Sequence, residues 1–135
     1  MRKANAVMVI DDDKVNNFIF KKVITSSQIA EDIIMHYGVT DALNDINEML
    51  ENHPHDLPDL IFLDINMPIL SGWDFLEAYK ELVPKFSKKV NLFMFSSSVS
   101  SNDIERAKSY DEVEDYISKP LTLDILEDIQ RKYLS

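Results

Sequence analysis

The stretch that most constrains the fold is Leu60–Pro68, in which four large apolar residues run into a carboxylate and then a proline. A short, continuous apolar run of this kind is typical of a strand buried on both faces inside a parallel sheet. The pattern predicts a central strand over Leu60–Leu63 with Asp64 at its carboxyl end. In open α/β sheets, ligands bind in the crevice outside the carboxyl ends of the strands. Asp64 is therefore a candidate functional residue by its position.

Strand patterns and helix patterns alternate along the whole chain. Apolar residues at helical spacing, such as Val15, Phe18, Ile19 and Val23, mark one face of a helix. The predicted strands are Ala6–Ile10, Asp32–Tyr37, Leu60–Leu63, Val90–Phe95 and Glu114–Ser118. The first and fourth predicted helices span about Lys14–Thr25 and about Ser101–Ser109. The second is capped by Thr40 and Asp41, the third lies between the turn Ile69–Gly72 and Pro84, and the fifth begins at the cap Thr122. Five β-then-α units imply an α/β fold with helices on both faces of a parallel sheet.

Length and composition set the class of protein. With 135 residues, of which 45% are apolar, we expect residues 1–135 to form one domain with its own core. The apolar runs are too short to cross a bilayer, and no signal-peptide pattern precedes the first strand, so we expect a cytoplasmic location without a membrane partner. The absence of cysteine excludes disulfides, thiolate metal sites and a cysteine nucleophile. A net charge of −10 argues against direct binding to nucleic acid.

Polar residues stand at the carboxyl ends of four predicted strands. They are Asp11–Asp13 after the first strand, Asp64 after the third, Ser96–Ser98 after the fourth and Lys119 after the fifth. Carboxylates brought this close repel one another unless a cation lies among them. Because oxygen ligands without histidine or cysteine suit Mg²⁺, the sequence predicts a magnesium site at this edge of the sheet.

The same set of side chains indicates phosphoryl chemistry. A carboxylate beside a bound metal can attack phosphorus and form an aspartyl phosphate. The metal, a hydroxyl and a lysine would each hold one part of the transferred phosphoryl group. Unrelated helix caps and surface charges are the alternative, and they explain one strand end better than four together.

The chain resembles the receiver domain of two-component response regulators, essentially from Val7 to Tyr133. The resemblance rests on an ordered set of motifs, which are Val9–Asp13, Leu63–Pro68 with Gly72 after it, Ser96, and Lys119–Pro120. It implies a flavodoxin-like, doubly wound fold, with five parallel strands in the order 2-1-3-4-5.

The resemblance also implies a role for individual residues. Asp64 accepts the phosphoryl group, and Lys119 pairs with the phosphate. Magnesium is held by Asp64, by Asp12 directly, by Asp11 largely through water and by the backbone carbonyl of Asn66. The remaining roles are those of Ser96 as the switch hydroxyl, Tyr116 as the switch aromatic, and Pro120 as a residue that follows a cis peptide bond.

Two of these assignments leave an alternative open. With three aspartates in a row, the register of the metal ligands can shift by one residue. Asp11 and Asp12 are preferred because they directly follow the apolar strand, and Asp13 then fills the third acidic position. Ser97 is the alternative switch residue, but the apolar run leads most directly into Ser96.

Several other residues are candidates for binding or packing. We expect His36, His53 and His55 to be structural or solvated, because the first lies in a strand pattern and the others in a loop with prolines. We expect Trp73 to pack on its helix, and the run Asp111–Asp115 to be a solvated acidic loop. That loop borders the face that receiver domains commonly present to their partners.

The resemblance implies a phosphoacceptor that takes its phosphoryl group from a histidine kinase or a phosphotransfer protein and catalyses only its own phosphorylation and dephosphorylation. Its output would be protein binding or onward phosphotransfer, as a monomer or a phosphorylation-dependent dimer. A phosphatase of the haloacid dehalogenase type is disfavoured because Asn66 stands where that class needs an aspartate. A nucleotide-binding flavodoxin-like protein is disfavoured because the chain has two glycines and no phosphate-binding loop. An interaction module that is never phosphorylated would not need the full set of residues.

Overall fold

The computed structural model describes residues 2–97 and 100–134, and its strands form one parallel sheet. The strands are β1 (Val7–Ile10), β2 (Ile33–His36), β3 (Leu60–Leu63), β4 (Asn91–Ser96) and β5 (Val113–Ser118). Their spatial order is β2-β1-β3-β4-β5, which confirms the predicted doubly wound α/β fold. Because β3 lies in the middle of the sheet, Asp64 follows a central strand.

Five α-helices connect and follow the strands in the described part of the chain. They are α1 (Lys14–Ser27), α2 (Val39–Asn52), α3 (Gly72–Leu82), α4 (Ser101–Lys108) and α5 (Leu123–Tyr133). Two short 3-10 helices, Pro54–Asp56 and Val83–Lys85, follow α2 and α3. Among the described residues, no helix combines the length and apolar character that a bilayer span requires.

The continuous apolar run of β3 is explained by two clusters of buried side chains, one on each face of the sheet. Ile61 and Leu63 pack into the cluster shared with α2 and α3. Leu60 and Phe62 pack into the cluster shared with α1 and α5. Full burial of each such side chain stabilises the fold by about 1.5–3 kcal/mol. Every residue of β3 is therefore in a core, and the first position free to be polar is Asp64.

The expected orientation of α1 is wrong. Of the four residues predicted as its apolar face, Val15, Phe18 and Ile19 are exposed to 72%, 63% and 37%, whereas Val23 is partly buried against the cluster shared with α1 and α5. The buried side chains of α1 are instead Asn16, Asn17, Phe20 and Ile24. The helix is turned this way because Phe20 and Ile24 pack on the sheet while the two asparagines hydrogen-bond to Asp11.

Two local expectations also need correction. Helix α2 begins one residue before Thr40, with Gly38 as its N-cap and no side-chain cap, so Thr40 and Asp41 lie inside its first turn. The acidic run at 111–115 is only partly a loop, because its last three residues belong to β5, in which Val113 and Asp115 pair with β4. Glu114 in that strand forms an ion pair with Lys89 at 2.7 Å. By contrast, Thr122 does cap α5, since its side chain accepts a hydrogen bond from the backbone N–H of Ile125.

Candidate functional site

Asp11 directly follows β1 and is completely buried. Its backbone N–H donates to the carbonyl of His36 at 2.9 Å, and its own carbonyl accepts from Asn17 Nδ2 at 2.8 Å. Its carboxylate accepts from the backbone N–H of Asp13 and from Asn16 Nδ2, both at 2.9 Å. The residue is thus fixed through its backbone and its side chain.

The structure separates the three consecutive aspartates. Single carboxylate oxygens of Asp11, Asp12 and Asp64 all lie within 4.8 Å of one another, and we call this group the acidic pocket. Asp13 instead caps α1, because its side chain accepts a hydrogen bond from the backbone N–H of Asn16 at 3.1 Å. This arrangement favours the chosen register of metal ligands, which stays a prediction.

Asp64 is held by close packing of the backbone around it. Its N–H donates to the carbonyl of Ile10 at 2.9 Å, and its Oδ1 accepts from the N–H of Ile65 at 2.9 Å. The start of α3 approaches so closely that a Cβ on Gly72 would lie 2.3 Å from the carbonyl oxygen of Asp64. A glycine is therefore required at position 72, as the place of Gly72 in the motif suggests.

Lys119 reaches into the acidic pocket from the end of β5. Its Nζ lies 2.6 Å from Asp11 Oδ2 and 3.3 Å from Asp64 Oδ1. Its backbone N–H donates to the carbonyl of Ser96 at 2.9 Å, and the Lys119–Pro120 peptide bond is cis, as predicted. The lysine is thereby positioned by the end of β4 as well as by its own strand.

Charge and burial shift the pKa values of this group in a consistent way. Burial, and then the negative charge of Asp11, raise the pKa of Asp64 to about 6, although Lys119 opposes the shift. Burial alone would lower the pKa of Lys119, but its hydrogen bond and ion pairs with Asp11 and Asp64 raise it above the ordinary value. Three carboxyl groups and one lysine within a few ångströms, with no histidine or cysteine among the three, suit a divalent cation such as Mg²⁺.

The structure places the other predicted site residues on β4, on β5 and in the loop after β3. Ser96 is the last residue of β4 and is buried, whereas Ser97 is exposed and Ser98 lies outside the described residues. Tyr116 is half-buried in β5, against the cluster that α2 and α3 share. Asn66 is exposed in the loop after Asp64. Their assigned roles stay predictions.

The remaining candidates belong to local packing or to the surface. His36 Nε2 lies 2.7 Å from Asp45 Oδ2, and His53 pairs with Glu48 and Asp56 at 2.7 and 3.0 Å. Trp73 is buried and stacks on Tyr110 with the guanidinium of Arg106 over its ring. The exposed His55 and both other histidines lie outside the acidic pocket.

Sequence reasoning missed Asn16 and Asn17, the two buried asparagines that bind Asp11. Their position offered a signal, because they are polar residues in the first turns of a helix that starts directly after a candidate metal ligand. The signal was hidden because the neighbouring apolar side chains suggested the opposite face as the buried one.

The comparisons with known proteins agree with this geometry. The family model of the response regulator receiver domain matches residues 7–131. The chain belongs to this family. The receiver domain is 32% identical to a two component response regulator from Cytophaga hutchinsonii, whose crystal structure superposes with a TM-score of 0.89 and 98% coverage of both chains. It is a receiver domain of two-component systems, with Asp11, Asp12 and Asp64 as its acidic pocket.

Two curated relatives are much longer proteins. The receiver domain is 31% identical to hybrid signal transduction histidine kinase L of Dictyostelium discoideum, over 94% of this chain and 7% of that protein. It is 32% identical to protein-glutamate methylesterase/protein-glutamine glutaminase 3 of Burkholderia thailandensis, over 92% of this chain and 31% of that protein. The chain thus spans less than a third of either relative's length.

Proposed function

We propose that Asp64 is the phosphoacceptor and that its donor is a phosphohistidine of a histidine kinase or a phosphotransfer protein. The observation that carries this proposal is the buried carboxylate of Asp64, grouped with two further carboxylates and 3.3 Å from Lys119 Nζ. A carboxylate oxygen of Asp64 forms the new bond to phosphorus while the bond from phosphorus to the imidazole nitrogen breaks. The leaving imidazole keeps the bonding electron pair and takes up a proton.

The residues around Asp64 have separate tasks in this proposal. Mg²⁺ would be held by Asp12, Asp64 and the backbone carbonyl of Asn66, and by Asp11 largely through water. A bound Mg²⁺ neutralises charge on the phosphoryl oxygens. Lys119 is charged and already 3.3 Å from Asp64 Oδ1, and it pairs with a phosphoryl oxygen after transfer.

Phosphorylation would be read out through Ser96 and Tyr116. The phosphoryl group adds charge and acceptor oxygens at Asp64, to which the Ser96 hydroxyl donates a hydrogen bond. Movement of Ser96 makes room for Tyr116 to turn inward from its half-buried position, which changes the face formed by α4, β5 and α5. The phosphoryl group shifts this equilibrium only by the difference in its interactions with the two states.

An exposed apolar surface next to the pocket supports a protein as the donor. All seven large, exposed hydrophobic residues in the described part of the chain lie in segments that follow the carboxyl ends of strands. We call them the apolar rim, and they are Val15, Phe18, Ile19, Tyr37, Ile69, Leu70 and Leu123. Exposed apolar residues that form a patch mark interaction surfaces, and Ile69 and Leu70, in the loop after Asp64, are the rim residues nearest to it in sequence.

The proposal extends to the protein as a whole. Residues 1–135 act as one cytoplasmic receiver domain that catalyses only its own phosphorylation and dephosphorylation. Its further partner is a protein rather than nucleic acid or membrane, which the net charge of −10 supports. It acts as a monomer or as a dimer that forms on phosphorylation.

Intact-mass measurement tests the phosphoacceptor. Wild-type protein incubated with acetyl phosphate and Mg²⁺ is expected to gain one phosphoryl group, and to gain none when EDTA replaces the metal. Asp64→Asn is expected to remain unlabelled, while Asp59→Asn, which changes a buried aspartate outside the pocket, is labelled like wild type. Labelling of Asp64→Asn at the wild-type rate would show that another residue accepts the phosphoryl group.

A further inference from the structure

The carboxylate of Asp11 is held by three fixed donors. Asn16 Nδ2 and Lys119 Nζ share Oδ2 at 2.9 and 2.6 Å, and the backbone N–H of Asp13 donates to Oδ1 at 2.9 Å. An ionised carboxylate offers about four lone-pair sites, so roughly one is left for a metal or its bound water. The direction of that remaining site depends on the donors that fill the other three.

One of these donors has a second task. Lys119 lies between Asp11 and Asp64, and in the proposed function it pairs with the phosphoryl group on Asp64. Its contact with Asp11 must weaken when it does so. Asn16 is then the remaining side-chain donor to Asp11 Oδ2 in residues 2–97 and 100–134.

We propose that Asn16 is a positioning residue, which fixes the carboxylate of Asp11 for metal binding and keeps it fixed while Lys119 changes partner. This inference rests on the proposed function of the acidic pocket. Asn16 is itself well held, because it is buried and its backbone N–H is bound by the side chain of Asp13 at 3.1 Å. Mutation of a hydrogen-bond partner that orients a metal ligand typically lowers metal affinity or activity about 10–100-fold.

The neighbouring asparagine provides a matched control. Asn17 is as buried as Asn16, with 4% and 6% of their surfaces exposed, and it also donates to Asp11. Asn17, however, donates to the backbone carbonyl, and its own Oδ1 is buried without a hydrogen-bond partner. Replacement of the two asparagines by leucine, which has a similar shape, separates orientation of the carboxylate from packing of α1.

Calorimetric titration of the full chain with Mg²⁺ tests the proposal. We expect Asn16→Leu to raise the Mg²⁺ dissociation constant about tenfold or more, and Asn17→Leu to raise it less than about threefold. Asn16→Gln, which keeps an amide donor on a longer side chain, is expected to recover part of the loss. If circular dichroism shows that Asn16→Leu does not fold, Asn16→Ala carries the same expectation. Equal losses in both leucine variants, or wild-type affinity in Asn16→Leu, would overturn the positioning role.

Phosphorylation of the same proteins separates this inference from the proposed function. At saturating Mg²⁺, Asn16→Leu is expected to be labelled by acetyl phosphate several-fold more slowly than wild type, because Asp11 loses its orientation when Lys119 leaves it. If wild type is never labelled while Asn16→Leu still weakens Mg²⁺ binding, the proposed function fails and the role of Asn16 at the metal stands. If wild type and Asn16→Leu are labelled at the same rate, the role of Asn16 during transfer fails.

Discussion

Two buried aspartates lie at opposite ends of the same strand and have opposite surroundings. Asp59 directly precedes β3 and Asp64 directly follows it, with 4% and 6% of their surfaces exposed. Asp59 is bound by Lys88 at 2.7 Å, by Arg2 at 3.1 Å and by the backbone N–H of Asn5 at 2.9 Å. Asp64 has one lysine, at 3.3 Å, which it shares with Asp11. Equal burial therefore gives one carboxylate with two cationic partners of its own and one that shares its single cationic partner with Asp11.

The pKa values express this difference. Burial raises the pKa of both carboxyls, but at Asp59 the hydrogen bonds from Lys88 and Asn5 outweigh it and lower the pKa below the ordinary value. At Asp64, burial and the charge of Asp11 together raise the pKa to about 6. Perturbed carboxylates in a cleft are typical of functional sites, whereas a fully paired one serves stability. We call the amino end of β3, with its fully paired carboxylate, the structural end, and the carboxyl end, which carries the proposed phosphoacceptor, the functional end.

The largest expected change in the free energy of unfolding is at Asp59, at the structural end of β3. Asp59→Asn removes the negative charge but keeps the shape, and leaves Lys88, 25% exposed, without its ion-pair partner. We expect the free energy of unfolding to fall by about 3 kcal/mol at pH 7, as measured by urea denaturation in EDTA. Because the pKa of Asp59 is lowered in the folded protein, this stabilisation is present above the unfolded pKa and is lost as the pH falls through the folded value. An unchanged free energy of unfolding at pH 7 would show that the ion pairs of Asp59 make no net contribution to stability.

Replacement of aspartate by asparagine at the functional end, Asp64→Asn, is expected to raise the free energy of unfolding rather than lower it. A folded pKa of about 6 against an ordinary value of 3.8 means that ionisation of Asp64 opposes folding. This cost is absent below about pH 4, grows as the pH rises to 6 and is complete above it. Asp64→Asn removes it, and we expect a gain of about 2–3 kcal/mol in the free energy of unfolding at pH 8 without metal.

Measurement of both variants across pH 4–8 gives the sharpest form of this comparison. The advantage of Asp64→Asn over wild type should shrink between pH 6 and pH 4, while the deficit of Asp59→Asn should remain in that range. Added Mg²⁺ should stabilise wild type by mass action and reduce the advantage of Asp64→Asn. A loss of stability in Asp64→Asn at pH 8 would mean that Lys119 already satisfies Asp64 in the metal-free protein.

Sequence reasoning predicted the functional end of β3 better than the structural end. The order of strands and helices, the grouping of Asp11 and Asp12 with Asp64, and the approach of Lys119 all follow from local patterns, because parallel strands bring their carboxyl ends to one edge. The network at Asp59 joins residues as far apart as Asn5 and Lys88, which no local pattern connects. It was therefore not predicted.

The rotation of α1 was missed for a related reason. Helical spacing shows that Val15, Phe18 and Ile19 share a face, but it does not show whether that face meets the sheet or a partner. In this receiver domain, the face that meets the sheet carries Phe20 and Ile24 together with the two asparagines that hydrogen-bond to Asp11, and these contacts form only in the folded chain. Three of the four residues at this spacing therefore belong to the apolar rim, while Val23 packs against the core.

The smallest expected effect concerns backbone strain at the functional end. Ile69 and Gln28 are the non-glycine residues with positive φ in the described part of the chain, at 73° and 56°. Gln28 ends α1 and its backbone N–H is bound by carbonyls of that helix, whereas Ile69 is a fully exposed, β-branched residue in the loop after Asp64. A β-branched residue fits this conformation poorly, so Ile69→Asn is expected to raise the free energy of unfolding by about 1 kcal/mol, and Gln28→Asn by less.

The reason to keep a strained isoleucine would be its place in the apolar rim. If Ile69 is one of the few residues that carry the binding energy of the donor interface, its loss costs more than about 1 kcal/mol, so Ile69→Asn is expected to slow phosphotransfer from a phosphohistidine protein about tenfold. Labelling by acetyl phosphate, which needs no protein interface, should be unchanged, and Gln28→Asn should match wild type with both donors. If Ile69→Asn slowed both donors equally, the residue would shape the loop around Asp64 rather than contact the donor. If it slowed neither while stability rose, Ile69 would be strained without serving phosphotransfer, and the apolar rim would lose its most exposed member as a docking residue.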